Sequence, residues 1–285
     1  MTTTETTALT AGFHDIDAAV YHGDPCPAPS LSRSIAKTLV DQSPAHAHAA
    51  HPRLGGGIPK EPTKEMDRGT LLHKLLLKAG ADIQEVDAPD WRTKAAKEAR
   101  EEIRAAGRIP VLADKYRAMR ATAGHIERAL AEKDICLSEG DRELTMIWQE
   151  ERGVWARAML DHYDGQHTIT DLKTCENAHP GALSRKVVDH GLDIQAASYS
   201  HGLEVLRPEL VGRVKFRFVW VEVGPPYAVS VCELDGEALD HGRGRWNRAV
   251  KEWGQCLKRD EWPAYEADLV RLEVPAWAMV EGVER

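Results

Sequence analysis

The stretch from Trp155 to Thr174, WARAMLDHYDGQHTITDLKT, constrains this chain more than any other. It reads as two β-strands joined by a turn at Asp164-Gly165. In the second strand Ile169, Asp171 and Lys173 alternate and so share one face. Asp161 lies near the end of the first strand, which brings two carboxylates and one amine within reach of a common point. Paired carboxylates suit a hard divalent cation, which prefers oxygen ligands. A lysine two residues beyond the second acid can meet charge gathering on a phosphate or hold an attacking water. Taken alone, these residues fit an ordinary hairpin with solvated charges equally well, so the rest of the chain must decide.

At 285 residues there is enough chain to bury a full core. The net charge of −8 excludes a whole-molecule basic field. Any contact with nucleic acid must then rest on a local patch, or on metal ions between acids and phosphates. Cys26, Cys136, Cys175, Cys232 and Cys256 are scattered without a CxxC pair. That argues against a zinc site, an iron–sulfur cluster or a disulfide framework, and suits a reducing, cytoplasmic setting. No apolar run reaches membrane-span length, and the start MTTTETTALT lacks the features of a signal peptide. Neither a membrane partner nor secretion is expected.

The Thr-rich start, taken to about residue 20, reads as disordered. Ser32 or Ser34 can cap a short helix through Val40, ended by the Ser43-Pro44 turn. His46, His48 and His51 invite a metal reading, but alternating His in an Ala-rich stretch is expected to be a solvated helix end or loop. LGGGIPKEP is a loop and a weak linker. Lys64 to Ala79 is a helix whose inward stripe is expected to be Met66, Gly69, Thr70, His73, Leu76 and Leu77. His73 is either a core histidine satisfied by a backbone carbonyl or a metal ligand carried by a buried helix, and Gly69 would let that helix approach another element closely.

Trp91 to Ala106 is a highly charged helix, read as a solvated face. Lys94, Lys97 and Arg100 tracking a phosphate backbone is the lesser alternative. The next helix, through Lys133, is expected to be kinked or interrupted near Gly124. RELTMIWQ, residues 142–149, opens a sheet, and Glu143 is either a solvent carboxylate or a third acid at the site. Pro180 begins a helical pair in which Gln195 and Tyr199, four apart, share a face. Val211 to Val223 is a half-buried strand. A turn at Gly224-Pro225-Pro226, a further strand and a helix from about Gly236 to Arg259 complete the chain. EVPAWAMVEG is expected to be an ordered extension. The order of elements predicts an α/β fold, a central mixed sheet flanked by helices, with a helical N-terminal portion (about 21–140) packed on a core (about 141–285) as one domain.

Several of these separated motifs agree. The spacing D-x(9)-D-x-K, the G-x-x-x-H helix of RGTLLHKLLL, the hairpin ending TITDLKT and the Q-x-x-x-Y helix DIQAASYSHGL occur in this order. With LSRSIAKTLVDQSPAHAHA, WRTKAAKEAR, EWPAY and PAWA, they make the chain resemble the RecE-like exonucleases (exodeoxyribonuclease VIII) and their phage relatives. These lie in the RecB-like branch of the PD-(D/E)XK superfamily, and the likeness covers most of residues 20–280. It implies a PD-(D/E)XK core and metal-dependent digestion of linear double-stranded DNA from its ends. The 5′-ended strand would be removed, leaving a 3′ tail for a single-strand annealing protein. It further implies a ring-shaped homo-oligomer and Mg²⁺, with Mn²⁺ able to substitute. By the same likeness, Asp161, Asp171, Glu143, His73 and the backbone carbonyl of Leu172 would hold the metal. Lys173 would position or activate water, and Gln195 and Tyr199 would touch the scissile strand or brace the site. The cysteine set of the iron–sulfur RecB-like members is missing. Two alternatives remain open: a silent protein of this fold that grips DNA ends or a partner, and a PD-(D/E)XK endonuclease.

Overall fold

The computed structural model describes residues 8–57, 64–265, 269 and 271–274, with the side chains of residues 64–68 left undescribed. Its elements run β1 (Gly12–His14), α1 (Ala18–His22), α2 (Arg33–Asp41), α3 (Pro44–Ala50), α4 (Lys64–Leu77), β2 (Ile83–Val86), α5 (Lys94–Ala105), β3 (Ile109–Leu112) and α6 (Ala113–Ala131). They continue with β4 (Asp141–Gln149), β5 (Trp155–Tyr163), β6 (Thr168–Cys175), α7 (Pro180–Asp189), α8 (Leu192–Leu206), β7 (Lys215–Glu222), β8 (Val229–Glu233) and α9 (Gly236–Arg259). One sheet has the order β1-β4-β5-β6-β7-β8, and β2 pairs with β3 in a small second sheet. β6 and β7 run parallel and the other neighbours in the large sheet antiparallel, so the sheet is mixed and flanked by helices, as expected.

Strand alternation builds two cores. Phe216, Phe218 and Trp220 of β7 and Ile169 of β6 face a core shared with Ile35 and Leu39 of α2, Leu203 of α8 and Trp246 and Trp253 of α9. Val219, Val221 and Leu172 face the other way, onto Leu72, Leu76 and Leu77 of α4 and Ile126 and Leu130 of α6. Local chemistry sets the helix starts. Ser32 accepts from the Ile35 amide, Ser43 caps α3 ahead of Pro44, Thr93 caps α5 and Asp235 caps α9. The turn between β5 and β6 closes on Asp164, whose Oδ1 accepts the amides of Gln166, His167 and Thr168 at 2.8–2.9 Å. Gly165 supplies the positive φ of 74°.

Some expectations need correction. Gly12–His14 pairs with β4, so order begins before residue 20; residues 1–7 lie outside the described ones. α6 runs unbroken through Gly124. On α4, Thr70 is exposed, whereas Leu71 and Leu72 are buried beside Leu76 and Leu77. The Met66 side chain, part of the Gly-rich linker and most of the expected C-terminal extension fall outside the description. Gly69 does permit a close approach, since a Cβ there would stand 3.1 Å from Thr174 Oγ1 on β6. The histidine cluster is not solvated as a unit. His48 and His46 pack against the rings of Trp262 and Tyr265, and His51 is fully buried.

His51 belongs to a buried polar knot. Asp24 lies 3.2 Å from His51 Nε2 and 3.1 Å from Arg157 Nη1, and accepts from the Ser30 amide and hydroxyl. Burial pushes its carboxyl up, but His51, Arg157 and Ser30 outweigh it and hold the pKa down at about 2, against an ordinary 3.8. A depressed carboxylate pKa stabilises the fold above about pH 4, and that stability is lost as pH falls toward 2. Asp24→Asn is expected to cost about 2 kcal/mol at pH 7 in urea unfolding, with the difference from the native chain shrinking toward pH 2. A second contact is tighter. A Cβ on Gly242 would stand 2.2 Å from the Asp193 carbonyl, so α9 lies directly on α8. Gly242→Ala is expected to lower stability by roughly 1–3 kcal/mol through overpacking, read in the same assay.

Candidate functional site

The hairpin from β5 to β6 pairs only near its turn, at His162↔Thr170 and Tyr163↔Ile169. Past those residues the strands part. The Leu172 amide, which a continued ladder would have bonded, donates instead to Asp161 Oδ2 at 2.8 Å. Asp161 is thereby held in the fork. Asp171, one strand across, is 2% exposed. Gln195 of α8 donates through Nε2 to Asp171 Oδ1, and Lys173 Nζ sits against Oδ2. The far side of the fork comes from α4: His73 Nε2 is 3.1 Å from Asp161 Oδ2, and its Nδ1 is 3.9 Å from Glu143 Oε1. Glu143 takes a positive φ of 51°, a strained backbone for a residue with a side chain, and its carboxylate lies against Gly80. His73 thus faces two carboxylates, and Glu143 approaches the fork through His73.

A cavity of about 330 Å³ opens on Asp161, Asp171, Lys173, Gln195 and Tyr199. With His73 and Glu143 beside Asp161, the fold gathers into one neighbourhood the side chains that the family likeness assigns to the site. Among the other residues that line the cavity, Tyr21, Ser32, Arg33, Arg157 and Met159 were not read as part of the site. Arg157 and Met159 were findable, because they precede Asp161 by four and two residues on one strand and share its face. Tyr21 and Arg33 carry no such signal, since α1 and α2 reach the cavity only through tertiary packing.

The two central acids are driven apart electrically. Burial raises both. For Asp161 the nearby His73, Lys173 and the Leu172 amide outweigh it, and the net shift is downward. For Asp171, Lys173 opposes burial but Asp161 adds to it, and the net shift is upward. Burial also lowers His73, yet Asp161, Glu143 and Asp171 more than compensate and raise it. Burial lifts the Tyr199 phenol well above its usual range.

Among the described residues no three His, Cys, Asp or Glu side chains are gathered as a ready-made metal cage. The donor set still suits a hard cation. Asp161 and Asp171 present oxygens to one cavity, and Gln195 Oε1 is buried without a hydrogen-bond partner.

The chain's sequence matches the profile of the PDDEXK-like domain of unknown function (DUF3799) over residues 32–273. The chain belongs to that family. No curated protein matches it in sequence. Among solved structures, a protein of Eubacterium rectale provisionally named an exonuclease superposes with a TM-score of 0.53 at 14% identity, covering 90% of this chain and 94% of that one. That likeness supports the PDDEXK-like fold. A phage-related exonuclease from Haemophilus somnus shares 16% identity over 67% of this chain and 95% of its own, with a TM-score of 0.28. No helix among the described residues of this DUF3799 chain is long and apolar enough to cross a membrane.

A carboxylate whose pKa is raised on folding costs stability once ionised. The metal-free protein therefore loses stability as pH climbs from the unfolded value through the raised one. Asp171→Asn keeps the shape and removes the buried charge. In EDTA at pH 7 it is expected to melt above the native chain. An unchanged or lower melting temperature would count against this electrostatic account.

Proposed function

We propose that this chain is a metal-dependent exodeoxyribonuclease that digests linear double-stranded DNA from its ends. The observation that carries the reading is the meeting of Asp161, Asp171 and Lys173 at the fork of β5 and β6, in a chain of PDDEXK-like family. The proposed polarity is 5′ to 3′, leaving 3′ single-stranded tails for an annealing protein in recombination. The working form is proposed to be a ring-shaped homo-oligomer in the cytoplasm. Polarity, partner, ring and location follow the resemblance in sequence.

Asp161 and Asp171 would hold Mg²⁺ or Mn²⁺, with Glu143, His73 and the Leu172 carbonyl as further ligands. Such an ion, when bound, acidifies a water and neutralises a phosphate oxygen. The protein's own groups do the rest. Lys173 offers a positive charge to the attacking water or the phosphorus-bound oxygens. Gln195 holds Asp171 in orientation through Oδ1. Hydrolysis adds water's oxygen to phosphorus and breaks the P–O3′ bond, and the departing 3′ oxygen takes its proton from solvent. No cysteine lines the cavity, and Cys26 is pushed up to about 12 by burial, so a thiolate nucleophile has no support here.

End-labelled linear duplex is expected to be shortened from its ends in Mg²⁺ and to survive in EDTA, while closed-circular duplex survives in both. Asp171→Ala and Lys173→Ala are each expected to lower the rate by at least roughly 10³-fold with the fold retained by circular dichroism. Substantial Mg²⁺-dependent cleavage by both variants would refute the assignment. Cutting of closed circles would point to an endonuclease, and binding of ends without digestion to a silent end-binding protein.

A further inference from the structure

Arg157 is among the most buried charges in the protein, at 3% exposure. Its bonds are lopsided. Nη1 donates to the Ser30 carbonyl at 3.0 Å and to the Ser30 hydroxyl, and lies 3.1 Å from Asp24 Oδ1. Nε, by contrast, has no partner, and Nη2 makes no hydrogen bond among the described residues. Nε and Nη2 form the side-on edge of the guanidinium, the edge that grips a phosphate or carboxylate with two parallel bonds. The protein thus spends one nitrogen on fixing the side chain and leaves the recognition edge unused.

Leaving charged donors unpaired in a buried setting costs stability, so an arrangement of this kind calls for a ligand. The local charge says which sign. Asp24 is shared among Arg157, Arg53 at 3.6 Å and the ring of His51, so one anion faces at least two fixed cations. Arg157 also lines the cavity that holds Asp161 and Asp171, and Arg33 stands on the same wall. The Tyr21 ring, 5.5 Å from the guanidinium, closes its other flank.

Spacing says which anion. Arg157 and Asp161 share a face of β5 and are separated by four residues, roughly 13 Å of strand. One phosphate held at Asp161 cannot also reach Arg157. We propose that Arg157 binds an internal backbone phosphate of the substrate strand, on a nucleotide next to or near the one being cut, and so sets the register of that strand over Asp161 and Asp171. The inference rests on the nuclease reading for the identity of the polyanion. Arg157 is on this account a positioning residue, held in place by Asp24 and Ser30.

The test neutralises phosphates one at a time. Duplexes carrying a single methylphosphonate linkage, stepped inward from the 5′ end, are bound to the full-length protein in Ca²⁺ and read by fluorescence anisotropy. For the native chain, one linkage away from the scissile position is expected to weaken binding by roughly tenfold, the scale of one charge-assisted contact. In Arg157→Lys, which keeps the charge but lacks the fork, that same linkage is expected to cost clearly less than in the native chain. A native chain indifferent to every linkage but the scissile one overturns the proposal. So does a variant that is as sensitive as the native chain. The native scan stands whether or not the variant folds. Digestion of unmodified duplex in Mg²⁺ is measured alongside. Its absence would strike the nuclease reading, while the binding scan would still decide the contact.

Discussion

Between β5 and β6 the backbone pairing lasts two residues from the turn and then gives out. In a sheet interior that break leaves buried amides and carbonyls to be satisfied some other way. The Asp161 carboxylate takes the Leu172 amide, so the acid is held by the break it repairs. Everything else at the site depends on this. The opening lets α4 bring His73 to Asp161 from one face, while α8 brings Gln195 to Asp171 from the other. A fully zipped hairpin would present the same acids on a flat surface, solvated and apart.

Electrostatics then divides the labour. Two carboxylates in one cavity cannot both ionise cheaply, and neighbours break the tie. Asp161 has the imidazole and the amide and shifts down; Asp171 is more deeply buried and shifts up. The surrounding scaffold keeps these charges from relaxing. Asp193, at the start of α8, is gripped by His241 and Arg245 of α9, and Arg245 also reaches Asp41 of α2. Gly242 brings α9 hard against the Asp193 backbone. Gln195 sits two residues further along α8, so its aim at Asp171 is set by packing that lies wholly outside the cavity.

A protein with a net charge of −8 must concentrate what positive potential it has. The cavity wall does so with Arg33, Arg157 and Lys173, alongside the acids. The charged α5, by contrast, pairs its cations internally: Lys94 with Glu98, and Arg100 with Glu101. That agrees with the solvated-face reading of its sequence. The histidine stretch divides in a way composition could not foretell. His51 turns inward to Asp24 because the chain around Pro44–Ala50 folds over the Asp24–Ser30 loop, a contact between distant segments.

Local patterns determined a good deal: the hairpin and its Asp164 turn, the helices α2 and α4 to α9 with the Ser32 cap of α2, the alternation that separates the faces of β7, and the company of Asp161, Asp171 and Lys173. Each is a matter of near neighbours, where backbone geometry and side-chain period leave few choices. The short strands β1, β2 and β3 carry too few residues for a period to register, and Gly124 showed that a glycine need not break a helix embedded in good formers. The splaying of β5 from β6, the delivery of His73 to Asp161 and of Arg33 to the cavity, and the burial that drives the two acids in opposite directions belong to tertiary structure alone. They arise between segments far apart in the chain, and through the removal of water, which no local stretch can accomplish by itself.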